Sequence, residues 1–183
     1  MDERIVITGT GAITPLGHSV DETWQAVLNG VSGVGPITLV DSTPFAVHYA
    51  CEVKNFKPEN FMEAKEARRR DRYEQFAAAA AREAILQSGL DMNREDPYRV
   101  GVVVSTALGG LRTIEDGAAL VFKGDFRHVS PFVVPMLMPN GAAGMVSIDY
   151  GTRGPCMSVA SACASGRTFT SGRSLKCSAP TCR

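Results

Sequence analysis

Cys163 sits inside the run SVASACASG, residues 158–166, with alanine, serine and glycine on both sides. A thiol attacks as its thiolate, and a strand that delivers a cysteine to the first turn of a helix supports that form with unpaired N–H groups and the positive end of the helix dipole. The same N–H groups can hold an oxyanion, and small neighbours leave room for an acyl group. The same residues also read as a buried cysteine that packs as a small apolar side chain, and the local pattern alone does not separate the two.

The other cysteines are Cys51, Cys156, Cys177 and Cys182, an odd total of five with no C-x2-C pair. Free thiols are therefore expected, with no disulfide frame and no metal site. His18, His48 and His128 are read as surface or loop residues, and none can be placed as the base that a cysteine hydrolase needs.

Elements that could position Cys163 follow from periodicity and caps. RIVITG (4–9) reads as a buried strand, and SVDETWQAVLNG (19–30) as a short amphipathic helix with Ser19 as N-cap, Glu22 completing a capping box and Gly30 ending it. Residues 31–61 read as loops with short strands. DRYEQFAAAAAREAILQSG (71–89) is a clearer helix, with Tyr73, Phe76, Ala77, Ala80, Ala84 and Leu86 or Gln87 near helical spacing and an alanine run suited to close packing. RVGVVVST (99–106) is a second strand, 109–124 a helix, 133–151 a helix disturbed by Pro139 and two glycines, and PCMSVASA (155–162) a third strand leading into Cys163. Strands alternating with helices predict a parallel α/β sheet covered on both faces.

GTGAITPLG (9–17) follows a strand and precedes a helix, which invites a dinucleotide-binding reading. Thr14 stands where the third glycine of G-x-G-x-x-G belongs, and no acidic residue ends an obvious second strand, so that reading is set aside. No cofactor is expected. The 183 residues carry 19 acidic and 19 basic side chains, which argues against a globally basic nucleic-acid binder. No apolar run is long enough to span a bilayer, and MDERIVITG lacks the regions of a signal peptide, so the expected location is cytoplasmic, with no membrane partner.

IVITGTGAITPLG (5–17), ARRRDRYEQFA (67–77), STALGGL (105–111), SPFVVPMLMPNGAAG (130–144) and GPCMSVASACASG (154–166) together resemble the N-terminal half of a β-ketoacyl-acyl carrier protein synthase of the elongating, synthase II-like kind, in the family's order and spacing. The resemblance implies the thiolase fold, an α/β arrangement of five αβαβα layers, of which this chain would supply the incomplete N-terminal half. It implies fatty-acid chain elongation by decarboxylative Claisen condensation. Cys163 matches the nucleophile that takes the acyl chain as a thioester, and its backbone N–H matches one oxyanion donor. Leu108 and Phe132 match positions that line or gate the acyl pocket, with ordinary core packing as the alternative. Lys65, Arg68, Arg69 and Arg127 match basic positions that dock the acidic acyl carrier protein in its acyl and malonyl forms. A solvated helix start is the alternative for those basic residues. The full-length family is homodimeric.

The resemblance covers residues 4–166 of a family roughly twice as long, whose catalytic histidines, essential lysine and second oxyanion donor match nothing here. Little or no condensation by this chain alone is therefore expected. All 19 acidic residues precede Arg167, leaving net −4 for 1–166 and +4 for 167–183. The expected organisation is a thiolase-like half domain over 1–166 and a divergent, disordered basic tail over 167–183, with a frameshift or truncated reading frame near Arg167 as its origin. Two other functions stay open: a non-catalytic remnant or binding partner of a condensing enzyme, and a cysteine acyl hydrolase.

Overall fold

The computed structural model describes residues 6–165, which fall into two compact units that divide between Arg94 and Glu95. The first holds helix α1 (Val20–Leu28), strands β1 (Gly35–Pro36) and β2 (Tyr49–Ala50), and helices α2 (Ala64–Ala67) and α3 (Arg72–Ser88). The second holds strand β3 (Val102–Val103), helices α4 (Leu111–Phe122), α5 (Val133–Leu137) and α6 (Gly141–Tyr150), and strand β4 (Cys156–Met157).

Local sequence accounts for the helices. Asp71 caps α3 and Glu74 returns the bond to the Asp71 N–H, a complete capping box, while Gly89 ends the helix in the left-handed region at φ +69°. Ser19 caps α1 by accepting the Glu22 N–H at 3.1 Å. The return bond differs from the expected box: the Glu22 carboxylate takes the His18 N–H at 2.7 Å, one residue before the cap.

The alanine run of α3 explains the glycines of GTGAITPLG. A Cβ on Gly9 would lie 2.1 Å from the Ala84 carbonyl oxygen, and one on Gly11 would lie 1.9 Å from that of Ala80. The loop thus lies directly on the helix backbone, where only glycine fits. Gln87 Oε1 accepts the Thr10 N–H at 2.6 Å, and Glu83 accepts the N–H groups of Ala12 and Val20, both at 2.9 Å. The close packing expected of the alanine run is borne out. Leu86, by contrast, is exposed, and the buried face of α3 runs through Glu74, Ala78 and Ala79. An aromatic group completes this unit: Phe56 stacks on Phe61 and meets Phe76 edge-on, with the Arg72 guanidinium 4.8 Å from the Phe76 ring centre.

In the second unit β3 and β4 run parallel, with Val102 opposite Cys156 and Val103 opposite Met157. Helix α6 packs on both strands, burying Gly141, Ala142, Ala143 and Val146, small residues that let the helix backbone approach the ladder. The expected 133–151 helix is two helices, α5 and α6, parted at Pro139, where the missing N–H prevents a continuous run.

The strands are shorter than the sequence suggests. Residues 6–9 form no strand, and Val6 and Ile7 are exposed; among the described residues the parallel sheet is the two-residue β3–β4 ladder, and the first unit holds a separate antiparallel β1–β2 pair. A β-rich run becomes a strand only where a neighbour takes its N–H and C=O groups, and these runs have few such neighbours. Trp24 and Leu28 on α1 and Val121 and Phe122 on α4 are also exposed. The expected tail, 167–183, lies outside the described residues.

Candidate active site around Cys163

The chain reaches Cys163 along β4. Val102 N–H donates to Pro155 O at 2.9 Å and Val104 N–H to Met157 O at 3.4 Å, and then the Ser105 hydroxyl accepts the Val159 N–H at 3.2 Å. A side chain thus continues the pairing where the backbone ladder has ended. Gly101 and Gly154 permit the approach, since a Cβ on either would lie under 3 Å from a carbonyl oxygen of the opposite chain segment.

Beyond this ladder the backbone turns sharply. Ala162 has φ +49°, a left-handed conformation that a residue with a Cβ rarely adopts. Ala164 N–H donates to Ser161 O and Ser165 N–H to Ala162 O, both at 3.1 Å. The Ser165 side chain, buried beneath the turn, accepts the Ser161 N–H at 2.9 Å and donates to Ala162 O at 2.7 Å. Cys163 stands exposed at the crest as a free thiol, and the described hydrogen bonds that close the turn come from the N–H groups of Ala164 and Ser165. In this structure Cys163 is thus exposed, where the alternative reading expected a buried side chain. The helix expected to follow lies outside the described residues, of which Ser165 is the last.

Leu108 and Phe132 lie at opposite ends of α5. Phe132 is its N-cap residue and half-buried. Leu108 is exposed beside Gly109, which turns at φ +74° and brings the Gly110 N–H to Leu137 O at 3.2 Å. Arg127 is exposed in a short 3-10 turn, Phe126–His128, in this same unit.

The other basic positions belong to the first unit. Lys65 on α2 and Arg68 just after it are exposed, while Arg69 lies 3.4 Å from Glu66. What holds α2 in place is the turn into α3: Gln75 donates to Ala67 O at 2.8 Å and to Arg70 O at 3.1 Å, and Arg70, Asp71 and Glu74 are buried. Burial pushes the Glu74 carboxyl up to about 7, against the pull of the Asp71 N–H and Tyr73 hydroxyl that it accepts. The histidines are engaged locally: His18 Nε2 with Lys54 O at 2.9 Å, His48 with Ser42, and His128 with Asp125 at 2.6 Å.

Comparison with known proteins matches residues 2–172 to the model of the β-ketoacyl synthase N-terminal domain. The chain belongs to the β-ketoacyl synthase family. Over 175 residues this synthase domain is 45% identical to the 3-oxoacyl-[acyl-carrier-protein] synthase 2 of Staphylococcus aureus strain COL, an alignment that takes in 96% of the chain and 42% of that relative. The enzyme of the same name from a Synechocystis strain is 38% identical over 164 residues, 90% of the chain and 39% of the relative. The chain thus spans about two fifths of the curated relatives it matches. The solved ishigamide ketosynthase/chain length factor superposes with a TM-score of 0.76 at 25% identity, over 85% of this chain and 39% of that one. A type II polyketide ketosynthase, solved in complex with its acyl-carrier protein and bound to a hexaketide, gives 0.64 at 26%, over 81% and 40%. The fold is thiolase-like, and this synthase domain is its N-terminal part.

Ser105 and Ser165 were not singled out in the sequence. Both lie inside motifs that carry the resemblance, STALGGL and SACASG, where they read only as small residues. No group of three or more metal-ligating side chains gathers among the described residues, and no helix among them is long and apolar enough to cross a membrane.

Proposed function

We propose that this chain is the acyl-accepting part of a 3-oxoacyl-[acyl-carrier-protein] synthase of the fatty-acid elongating type, with Cys163 as acceptor. The observation that carries the reading is the exposed Cys163 thiol at the crest of a left-handed turn. The Cys163 thiolate attacks the carbonyl carbon of an acyl thioester on the carrier, the Cys163 N–H faces the oxyanion, and the carrier's thiol leaves as the new thioester forms. In a full-length synthase, decarboxylation of a malonyl thioester then yields the carbanion that attacks the Cys163 thioester, the carbon–carbon bond forming as the Cys163 thiol leaves.

In this reading Lys65, Arg68, Arg69 and Arg127 meet the acidic carrier, and Leu108 and Phe132 border the acyl chain. The solved ketosynthase in complex with its acyl-carrier protein supports the choice of partner. Condensation needs groups that stabilise the enolate of decarboxylation, and the three histidines here are bound to their own neighbours. The chain alone therefore performs acyl transfer and not condensation. The synthase portion in this account takes in residues 1–166, with the family match running on to 172, and the enzyme works as a homodimer in the cytoplasm.

Incubation with carrier protein bearing a radiolabelled acyl group tests the assignment. Label should move to the chain as a hydroxylamine-sensitive thioester and vanish in Cys163→Ala. Label that never leaves the carrier, or that persists in Cys163→Ala, overturns it.

A further inference from the structure

We propose that Ser165 is a positioning residue for the Cys163 thiol, a reading that rests on Cys163 as the acyl acceptor and adds the device that aims it. Ser165 is 4% exposed, and both hydrogen-bonding functions of its hydroxyl are spent on the same turn: it accepts the Ser161 N–H at 2.9 Å and donates to Ala162 O at 2.7 Å. These two bonds straddle Ala162, whose φ of +49° is disfavoured for any residue with a Cβ. Relaxing Ala162 toward an ordinary conformation moves its carbonyl and the Ser161 N–H apart, so the clasp and the strained dihedral stand or fall together. Cys163 follows directly in the chain. The directions of its N–H and its Cα–Cβ bond are therefore set by the Ala162 dihedrals, and through them by the Ser165 hydroxyl. A buried serine that only needed satisfaction would need one bond to any nearby group. Here donor and acceptor both close on the residues that precede the nucleophile.

The test is alkylation of the 183-residue chain by iodoacetamide, in which the Cys163 thiolate displaces iodide from carbon. Rates are read at each cysteine by peptide mass spectrometry between pH 6 and 10, with exposed Cys51 of the first unit as internal reference. Ser165→Ala should slow Cys163 by about tenfold or displace its pH profile, the scale of losing one or two hydrogen bonds, while Cys51 stays unchanged. Ser165→Thr keeps the hydroxyl and should restore the profile. Ala162→Gly, which accepts the left-handed conformation without a clasp, should rescue Ser165→Ala in part. An unchanged Cys163 profile in folded Ser165→Ala overturns the proposal, as does an equal loss at Cys51. If Ser165→Ala does not fold, Ala162→Val replaces it: the β-branched residue opposes the turn with Ser165 intact, and an unaltered Cys163 profile there also overturns the proposal. Acyl transfer from the carrier is scored separately. A Cys163 that responds to Ser165 yet takes no acyl group refutes the acceptor reading alone, and equal acylation of wild type and folded Ser165→Ala refutes the clasp alone.

Discussion

The Ser105 hydroxyl accepts the Val159 N–H at 3.2 Å, and so carries the pairing of β3 with β4 toward Cys163 after the backbone ladder has stopped at Val104 and Met157. Removing it leaves a part-buried N–H without its acceptor. Ser105→Ala should cost about 1 kcal/mol of stability. It should also reduce acylation of Cys163 more than alkylation of Cys51. Urea denaturation and site-resolved labelling check both, and equal effects at the two cysteines would remove Ser105 from the site's support.

Gly11 and Gly144 make a contrast. A Cβ on Gly11 runs into the Ala80 carbonyl of α3, which is backbone and cannot swing away, whereas one on Gly144 within α6 meets open space. Gly11→Ala should destabilise by about 2 kcal/mol or more. Gly144→Ala should stabilise by up to about 1 kcal/mol through helix propensity. Denaturation midpoints of the two variants should move in opposite directions.

Glu74 makes the first unit sensitive to pH. Its carboxyl is held at about 7 in the fold against an ordinary 4.5, because burial disfavours the charge. The folded state thus binds a proton more tightly than the unfolded chain does. This group's contribution is complete below about pH 4.5 and is lost as pH rises through 7, a difference on the order of 3 kcal/mol. Glu74→Gln retains an oxygen for the Asp71 N–H and removes the titration. Its denaturation midpoint should be flatter than wild type between pH 5 and 8, with the gain at the alkaline end; parallel curves would contradict the assignment.

Arg68 tests the proposed docking surface for the carrier. It is exposed beyond α2, and reversing its charge leaves the Gln75 bonds that hold the helix end untouched. Arg68→Glu should slow association with acyl carrier protein by about tenfold at low ionic strength, with the difference shrinking as salt is added. Surface plasmon resonance at two salt concentrations would show it, and a salt-independent loss would point to damage of the fold.

Helices α1, α3 and α4 were legible from the sequence because their signals are local: a cap such as Ser19 or Asp71, a stop such as Gly30, Gly89 or Gly124, and a face repeated every three or four residues. Strands were legible only as runs of suitable residues. Residues 6–9 read as a strand and form none, since pairing belongs to neighbours far along the chain. The motifs around residues 5–17, 67–77, 105–111, 130–144 and 154–166 were enough to place the chain in its family, and they carry the proposal that Cys163 is the acceptor. They gave no reason for the individual glycines and serines within them. Only tertiary structure assigned Gly9 and Gly11 to the backbone of α3, set the Ser105 hydroxyl, beyond β3, on the Val159 N–H of the segment that leads to Cys163, and closed Ser165 over a left-handed Ala162. Caps and periodicity act over one or two turns and are written in consecutive residues. Close approach of backbones and the aim of a side chain depend on atoms brought together from distant parts of the chain or on an unusual dihedral, so residue type gives at most a hint, such as the alanine run of α3, and does not name the partner.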